Sequence, residues 1–439
     1  MSVVERLSGA CTVSPAGEAD TVDGVPAQAV ARPSCAEQTS ALLAACHAEG
    51  LAVVVRGHGS KLTWGRAPER VDVILETGAM DELVEHSRGD LVATAGAGMP
   101  LARLGDLLAE GGHQLVVDDL AAGRGADGAG STLGGAVATG LSGPRRLWAG
   151  PLRDLVIGVR LVLADGTIAR SGGKVVKNVA GYDLAKLLTG SYGTLAVVTE
   201  VTVRLHPLPQ EEATVLARVP HDRLGPALAL LVASQLAPRT LEVSARPGAD
   251  PLLSIGLGGS VEGTRERAQT LAAELGSPDL AGPSVAVVGP EGPPEKTAQL
   301  LADETGTHGT ATDETDADQS ARPTLVRATS RLSGIPELVR EATDRGFAVT
   351  GSAGVGVLHA RLPEGTAPDA VRRAVEEVRA LTLRLGGSTV VLDAPPAVKA
   401  GLDAEATWGP VPGLDLMRRV KAEFDPVRLL APGRFVGGL

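Results

Sequence analysis

The sequence has few cysteines, few aromatic residues and no excess of positive charge. Its three cysteines form neither an even set nor a CxxC spacing, so disulfide bridges and metal ligation are not predicted. Lysine and arginine number 41 against 52 aspartate and glutamate, which gives a net charge of −11. Binding to a phosphate backbone needs clustered cations, so this balance argues against a nucleic-acid partner.

Long apolar runs are also missing. No apolar stretch approaches the ~18 residues that cross a bilayer. Acidic residues, rather than a signal-peptide pattern, occupy the N-terminal region. We therefore expect a cytoplasmic protein with no membrane span.

The residues that are abundant point to an α/β-type enzyme. Hydrophobic residues make up 44% of the chain and aromatics only 2%, while glycines number 56. Such an interior is built mainly from Val, Leu and Ala, with many tight turns. The length of 439 residues predicts two domains.

Composition and periodicity divide the chain into segments. Pro207 and Pro209 mark the boundary between the two domains, because prolines end the preceding strand. We predict a loose leader over residues 1–24, a first domain over 25–209, a second over 210–415, a flexible acidic loop over 303–320, and a C-terminal segment over 416–439. Helical spacing predicts helices near 36–49, 101–110, 222–236, 263–275, 335–345 and 367–386, and Val/Leu-rich runs predict strands near 51–55, 71–75, 156–163, 195–205, 241–257, 324–328, 347–350 and 355–362.

Several common catalytic patterns do not occur. Residues 96–102 begin like a dinucleotide fingerprint, but the third glycine is missing and Pro100 stands where a helix begins. The patterns GxxxxGK[ST], GxSxG and HExxH are absent. These absences argue against a Rossmann NAD enzyme, a P-loop kinase, a serine hydrolase and a zincin.

The most informative segment is the glycine loop, residues 56–65, which follows the apolar run 51–55. Its glycines allow successive backbone N–H groups to point inward and form a nest for phosphate oxygens, to which Ser60 and Lys61 can add. The pattern therefore predicts a site for a pyrophosphate-bearing cofactor. A simple turn is the alternative for the segment taken alone.

Three further segments favour the cofactor. Residues 131–140 combine small and hydroxyl side chains that can lie against a planar ligand. Residues 177–184 and 190–199 repeat this mixture of glycine, hydroxyl and apolar types. Arg145 and Arg146 lie between the segments 131–140 and 177–184. They are either anion ligands or arginines that face solvent or a partner protein.

Together these segments resemble the flavin-binding half of the vanillyl-alcohol oxidase superfamily of PCMH-type FAD-linked oxidases, over residues 25–209. The resemblance is closest to the smaller flavin subunit of bacterial glycolate oxidase, in the sequences of residues 140–148, 177–183 and 190–193. The sequence of residues 424–434 resembles the FDP…NPG ending of 2-hydroxy-acid members, with Ala431 in place of Asn. The resemblance implies an α+β fold: a PCMH-type two-part FAD-binding domain, a smaller α/β cap-like domain, and a C-terminal segment that returns to the FAD domain.

The resemblance also implies the cofactor and its ligands. Covalent members carry a His where this chain has Ser60, and no cysteine follows Cys46, so the FAD is expected to be non-covalent. The residues expected to bind it are Arg56, Gly57, His58, Gly59, Ser60, Lys61, Gly65, Asp118, Ser131, Thr132, Gly134, Gly135, Thr139, Gly140, Gly190, Gly193, Thr194 and Val198.

The second domain departs from the family. The HxGDGNxH motif of catalytic members is matched by residues 352–359, where only the glycines and His359 remain, and the EHGxGxxK motif by 392–399, where the Glu, the His and both glycines are lost. Oxidising a 2-hydroxy acid requires a base and cations for the carboxylate, which one histidine does not supply. His359 is therefore either catalytic or structural, and the catalytic residues are not assigned.

The expected function is that of an FAD-binding subunit of a glycolate oxidase-like complex, beside a larger catalytic flavin subunit and an iron–sulfur subunit. Through these partners the chain could lie at the membrane periphery. One alternative is a self-sufficient FAD oxidoreductase acting on another 2-hydroxy acid or alcohol. The other is a scaffold subunit without catalysis.

Overall fold

A computed structural model describes residues 1–120, 122, 125, 128–173, 182–280, 284–289 and 322–439. The chain divides into two units: the first contains Met1–Ser142, Gly150–Leu208 and Pro410–Leu439, and the second contains Gly143–Ala149 and Pro209–Gly409. The predicted boundaries at 209 and 415 lie close to these limits. The prediction placed residues 25–209 in one continuous domain, so it did not assign Gly143–Ala149 to the second unit. The predicted flexible loop 303–320 lies outside the described residues.

Two larger sheets form the framework of the first unit. A four-stranded sheet has the order Thr12–Pro15, Ala29–Arg32, Val73–Glu76, Val53–Arg56, and a five-stranded sheet has the order Ile168–Gly172, Val156–Val162, Val197–Arg204, Val92–Gly96, Leu83–Ser87. Short pairs join Thr21–Val22 to Val25–Pro26 and His113–Gln114 to His206–Pro207. The helices of this unit are Val3–Leu7, Ala36–Glu49, Leu101–Ala109, Leu133–Thr139, Leu152–Leu155, Leu184–Leu188 and Leu414–Phe424, with a 3₁₀ turn at Val436–Gly438.

The segment predicted to be a loose leader is ordered, and that prediction was wrong. Ser2 and Glu5 form a reciprocal capping box on helix Val3–Leu7, and Val3 and Leu7 are buried in the core. Strand Thr12–Pro15 pairs antiparallel with Ala29–Arg32. A single apolar pair at i and i+4 is too short a signal to reveal such a helix in the sequence.

The second unit contains an antiparallel eight-stranded sheet in its described residues. Its strand order is Val285–Val288, Glu211–Arg218, Leu252–Gly259, Thr240–Ala245, Ala348–Ser352, Val357–Leu362, Thr324–Thr329, Thr389–Asp393. The helices are Arg146–Ala149, Leu224–Ala233, Val261–Leu275, Ile335–Asp344, Pro368–Arg384, Pro396–Ala400 and Ala404–Trp408, with a 3₁₀ turn at Leu332–Gly334.

The two faces of this sheet differ, because side chains alternate along each strand. Val326, Leu358 and Ala360 are buried in one apolar cluster with the helices. Their neighbours Arg327 and His359 belong to the other face, which is half-buried and polar. We call this second surface the polar face.

Most predicted elements are confirmed to within a few residues. The predicted helix 36–49 is observed as Ala36–Glu49, ended by Gly50 in a left-handed conformation at φ 65°. The prediction of a single strand over 241–257 was wrong. It consists of Thr240–Ala245 and Leu252–Gly259, separated by a turn that contains Gly248 at φ 76°.

Candidate functional site

The first unit contains a groove at the point where strand Val53–Arg56 of the four-stranded sheet ends and the glycine loop begins. Its empty space is about 800 Å³, counting the part that is open to solvent. Its walls come from the glycine loop, from helix Leu133–Thr139, and from residues 191–198. A groove of this size and mixed lining is typical of sites for small molecules and cofactors.

The glycine loop is anchored where it leaves the sheet. Strand Val53–Arg56 ends at Arg56, whose guanidinium donates to Glu76 Oε1 at 2.6 Å and to Asp20 Oδ1 at 2.7 Å. Burial pushes the pKa of Asp20 upward, but hydrogen bonds from the Gly17 amide and from Arg56 lower it overall. Because two carboxylates neutralise Arg56, we infer that this side chain holds the loop rather than carrying a free positive charge.

Two features of the loop suit a bound ligand. The Nδ1 atom of His58 is buried and has no hydrogen-bond partner among the described residues, although His58 lines the groove. Buried polar atoms are normally satisfied, so an unsatisfied atom in a groove fits a missing partner. Gly59 has φ 77° and Gly65 φ 80°, conformations that L side chains rarely adopt.

Gly57 is required for a different reason from the one the sequence suggests. A Cβ atom at this position would lie 2.3 Å from the Thr132 hydroxyl oxygen, so glycine is needed for the loop to pack on the neighbouring helix. The Thr132 hydroxyl in turn accepts from the Gly135 amide at 3.1 Å and caps helix Leu133–Thr139. The close approach of loop and helix therefore depends on a small residue at position 57.

Lys61 links the loop to the same helix. Its ammonium is buried and donates to the Ser131 hydroxyl, which donates to Asp119. The Ser131 amide also donates to Asp119 Oδ2, at 2.7 Å. The carboxylate that organises this chain of bonds is thus Asp119, one residue after the predicted Asp118.

A second loop, residues 190–194, closes the groove against the end of helix Leu133–Thr139. The amide of Gly190 donates to Val137 O at 2.9 Å, and the amide of Tyr192 donates to Ala138 O at 2.8 Å. Tyr192 has φ 57°, an uncommon conformation for a bulky residue, and its ring stacks on Phe435 with centroids 5.2 Å apart. We call residues 190–194 the tyrosine loop.

The C-terminal segment, Pro410–Leu439, holds the glycine loop in place. Arg434 is 5% exposed and donates to Leu62 O at 2.6 Å, Lys61 O at 3.2 Å and Trp64 O at 3.4 Å. A guanidinium presents several donors in a fixed plane, which suits three carbonyls of one loop.

The same segment holds the tyrosine loop through a buried ion pair. Lys421 Nζ donates to Asp425 Oδ2 and to Thr194 O, both at 2.6 Å, and to Leu430 O at 3.0 Å. Asp425 accepts from the amides of Leu429 and Leu430, and the two charged residues are 3% and 0% exposed. Burial lowers the pKa of Lys421, and the carboxylate of Asp425 opposes this effect.

The structure brings together twelve of the eighteen predicted cofactor residues. Those that line the groove are Arg56, Gly57, His58, Gly59, Ser60, Lys61, Thr132, Gly134, Gly135, Thr139, Gly193 and Val198. Those outside its lining are Gly65, Asp118, Ser131, Gly140, Gly190 and Thr194. Residues 177–181, which contributed to the resemblance, lie outside the described residues.

Thr77, Ala97, Tyr192 and Arg434 also line the groove. The sequence analysis did not name them as cofactor residues, although Tyr192 and Arg434 lie in segments that carry the resemblance. Ala97 lies between Gly96 and Gly98. At these two positions a Cβ would come within 2.1 Å of Met80 O and 2.0 Å of Thr77 O. The Gly-Ala-Gly run that was rejected as a dinucleotide fingerprint is therefore needed for close backbone packing beside the groove.

Comparisons with known proteins agree with this geometry. The family described as FAD binding domain matches residues 27–172, and the family described as FAD linked oxidases, C-terminal domain, matches residues 404–435. These two matches contain the glycine loop, helix Leu133–Thr139 and Arg434. The chain belongs to the PCMH-type FAD-linked oxidase superfamily. FAD is its cofactor.

Individual relatives refine the position within this superfamily. The chain is 36% identical over 253 residues to a D-lactate dehydrogenase of Archaeoglobus fulgidus, covering 55% of each protein. It is 36% identical over 232 residues to the glycolate oxidase subunit GlcE of Escherichia coli, covering 52% of this chain and 61% of that subunit. The matches thus span little more than half the length of these curated relatives.

A solved structure supports the fold. An alkyldihydroxyacetonephosphate synthase superposes with a TM-score of 0.66 at 17% identity, covering 93% of this chain and 76% of that one. The predicted α+β architecture with a PCMH-type FAD-binding domain is therefore confirmed.

The two segments where this FAD-linked oxidase departs from catalytic relatives lie in the second unit. Residues 352–359 run from the end of strand Ala348–Ser352 into strand Val357–Leu362. In the segment 392–399, Asp393 is paired with Lys399 at 3.2 Å and with Arg322 at 3.6 Å, and all three side chains are at most 10% exposed. This carboxylate is therefore neutralised by two cations.

Within the described residues, no three His, Cys, Asp or Glu side chains come together as a metal site. In the same part of the chain, none of the helices has the length and apolar character required to cross a bilayer.

Proposed function

We propose that this chain is the FAD-binding subunit of a glycolate oxidase-like complex that oxidises a 2-hydroxy acid, glycolate to glyoxylate. In this proposal it works in the cytoplasm beside a larger catalytic flavin subunit and an iron–sulfur subunit, through which it could lie at the membrane periphery. The observation that carries the proposal is the groove built by the glycine loop and helix Leu133–Thr139. The similarity to a glycolate oxidase subunit supports it.

The residues present suit a non-covalent FAD. Backbone amides of the glycine loop would hold the pyrophosphate, with the buried Nδ1 of His58 as a further polar contact. Ser60 stands where covalent members of the superfamily carry a histidine, and Lys61 is held by Ser131. When bound, FAD supplies the acceptor for the hydride that leaves the substrate carbon.

The remaining residues of the groove would orient the cofactor. Thr139 directs its hydroxyl to Gly135 O at 2.8 Å, which leaves the small residues of helix Leu133–Thr139 as the surface facing the groove. Arg434 and Lys421 tie the two loops to the C-terminal segment. A pre-formed groove lowers the entropic cost of binding.

A self-sufficient FAD oxidoreductase is the second candidate, favoured by the similarity to a D-lactate dehydrogenase. It would oxidise a 2-hydroxy acid or alcohol without partner subunits. A scaffold without flavin is the third candidate. The residues of the groove argue against it, because a chain without cofactor has no need of glycines at positive φ at positions 59 and 65 of this loop.

An affinity pull-down from the native host, with an absorption spectrum of the eluate, separates the three candidates. Flavin bands with a second flavoprotein and an iron–sulfur protein support the proposed complex. A flavin-loaded chain that elutes alone and reduces an artificial acceptor with a 2-hydroxy acid supports the self-sufficient enzyme. A colourless chain that co-elutes with partners supports the scaffold and overturns the proposal.

A matched pair of glycine variants tests the groove. Gly57→Val should lose flavin, because its Cβ would meet the Thr132 hydroxyl at 2.3 Å. Gly89→Val is the control, since a Cβ at Gly89 meets nothing within 4 Å. Equal flavin content in both variants would contradict the assignment of the loop.

A further inference from the structure

Three side chains join the glycine loop to the residues that precede helix Leu133–Thr139. The ammonium of Lys61 donates to the hydroxyl of Ser131, and this hydroxyl donates to Oδ1 of Asp119. The Ser131 amide donates to the other carboxylate oxygen, Oδ2, at 2.7 Å. Asp119 therefore accepts from both the amide and the hydroxyl of Ser131, which fixes the direction of that hydroxyl. We call Lys61, Ser131 and Asp119 the lysine network.

Two glycines make room for this network. A Cβ at Gly130 would lie 2.4 Å from Oδ2 of Asp119, and a Cβ at Gly125 would lie 2.6 Å from the carbonyl oxygen of His58. Their φ angles are 70° and 83°, which L side chains rarely adopt. The close contacts of Asp119 with Ser131, and of position 125 with the glycine loop, therefore depend on glycine at both positions.

The ammonium of Lys61 lies at the wall of the groove. Lys61 and Ser60 both line the groove, and Lys61 Nζ is 3.3 Å from the Ser60 hydroxyl oxygen. Lys61 is only 7% exposed, and Ser131 is completely buried. Burying an ammonium and ordering its long side chain both cost free energy, so a role that requires this charge is expected.

The lysine network differs from the ion pairs of the neighbouring Arg56. Arg56 is in direct contact with the carboxylates of Glu76 and Asp20, at 2.6 and 2.7 Å. Lys61 instead reaches the carboxylate of Asp119 through the Ser131 hydroxyl. Because attraction between charges weakens with distance, this arrangement keeps the ammonium at the groove wall rather than drawing it onto the carboxylate.

The carboxylate also strengthens the bond that holds the lysine. A hydroxyl that donates to an ionised carboxylate is polarised, so it accepts more strongly from an ammonium. The flexible four-carbon stem of Lys61 is thereby held in one conformation. Asp119 thus affects the position of the Lys61 charge without lining the groove itself.

We propose that Asp119 is a positioning residue for FAD. Acting through Ser131, it holds the ammonium of Lys61 at the groove wall, where this cation binds the pyrophosphate of the cofactor. Backbone amides of the glycine loop supply the remaining contacts. The inference rests on the proposed position of FAD in the groove, and it does not depend on the substrate or on partner subunits.

Titration of the apoprotein with FAD, followed by flavin fluorescence, tests the network. Lys61→Met should lower the affinity about 10- to 100-fold, as expected for loss of a charged hydrogen bond. Lys61→Arg should recover part of this loss, because it restores the charge. Asp119→Asn should lower the affinity about 3- to 10-fold, because a bond to a neutral acceptor polarises the Ser131 hydroxyl less.

The direction of the change in Asp119→Asn distinguishes two roles of this carboxylate. If Asp119 acted only through its negative charge, its loss would strengthen the binding of an anionic cofactor. If it holds Lys61 in place, its loss weakens binding. Asp106→Asn is the matched control, because Asp106 is exposed on helix Leu101–Ala109 of the same unit, and its affinity should equal that of the wild type. Affinity in Asp119→Asn at or above that of the wild type would overturn the proposal.

The dependence on salt separates a positioned charge from general support of the fold. A cation that binds phosphate makes the affinity for FAD fall as ionic strength rises. We expect this fall in the wild type and in Lys61→Arg, and a clearly smaller one in Lys61→Met and Asp119→Asn. Lys61→Arg and Asp119→Asn retain the size of the native side chains, so they decide the question even if Lys61→Met does not fold. The same salt dependence in wild type and Asp119→Asn would show that Asp119 only supports the fold, and would reject its positioning role.

The outcomes separate the lysine network from the proposed function. An affinity for FAD that depends on Lys61 and Asp119, in a chain that elutes without partners, would support the network and reject the proposed complex. Co-elution with partner subunits, together with an affinity that neither Lys61→Met nor Asp119→Asn changes, would reject the network alone.

Discussion

Replacing Lys421 by Met should destabilise the first unit far more than the loss of a surface ion pair would. Lys421 and Asp425 are buried, with side chains 4% and 0% exposed, and the carboxylate of Asp425 would be left without a cation. Breaking a buried pair from one side costs about 3–5 kcal/mol. In a unit of roughly 230 residues this corresponds to a fall of roughly 6–20 °C in unfolding temperature.

The assay is flavin fluorescence during heating, because release of FAD removes quenching by the protein. Lys421 also donates to Thr194 O in the tyrosine loop, so the temperature of flavin release should fall together with that of unfolding. Lys186→Met is the matched control. Lys186 pairs with Asp183 at 3.5 Å with both side chains nearly half exposed, and such pairs contribute at most about 1 kcal/mol.

A second variant distinguishes an unpaired charge from lost packing. Lys421→Met combined with Asp425→Asn removes the charge of both partners and should recover most of the lost stability. The reasoning would be refuted if Lys421→Met behaved like Lys186→Met, or if the double variant were less stable than Lys421→Met alone.

Three further predictions concern Arg434 at the groove, the buried thiol of Cys46 in the first unit, and His359 on the polar face. Arg434→Gln should weaken FAD binding by at least about tenfold, measured by flavin titration of the apoprotein, because charge-assisted bonds to three carbonyls of the glycine loop are lost; unchanged affinity would show that the loop holds its shape without Arg434. The Cys46 thiol, whose pKa burial raises to about 12, should not react with a thiol reagent at pH 8 in folded protein, whereas it should react in denaturant. His359 is neutral in the folded state down to its pKa of about 4, but it is protonated below about 6.5 when unfolded. Between these two values the unfolded state binds more protons than the folded state. The free energy of unfolding therefore rises with pH across this window, and a contribution of up to about 3 kcal/mol is lost as the pH falls through it. Urea unfolding of wild type and His359→Gln from pH 4 to 7 checks this, and equal pH dependence in both would contradict it.

The sequence predicted the parts of the groove that are local in the chain. The glycine loop follows a strand directly, so composition and order alone indicated a turn at the sheet edge. The residues that hold the groove together are distant in sequence. Arg434 is 373 residues from Lys61, whose carbonyl it contacts. No local sequence pattern indicates such a contact. The sequence analysis named Asp118, whereas the carboxylate that accepts from Ser131 is that of its neighbour Asp119. Which of two adjacent acidic side chains reaches a given partner depends on side-chain direction, which sequence alone does not give.

The polar face was missed for a related reason. Arg327 follows an alternating strand pattern, in which an arginine indicates a solvent-facing position. Its register partner His359 lies in a strand 32 positions later, and Arg146 comes from a separate segment of the second unit.

Three cations around the groove serve to hold its loops. Arg56 is paired with Glu76 and Asp20, and Lys421 with Asp425, while Arg434 donates to carbonyls of the glycine loop. Because these cations are engaged by the protein itself, we infer that backbone amides and dipoles remain to face a pyrophosphate.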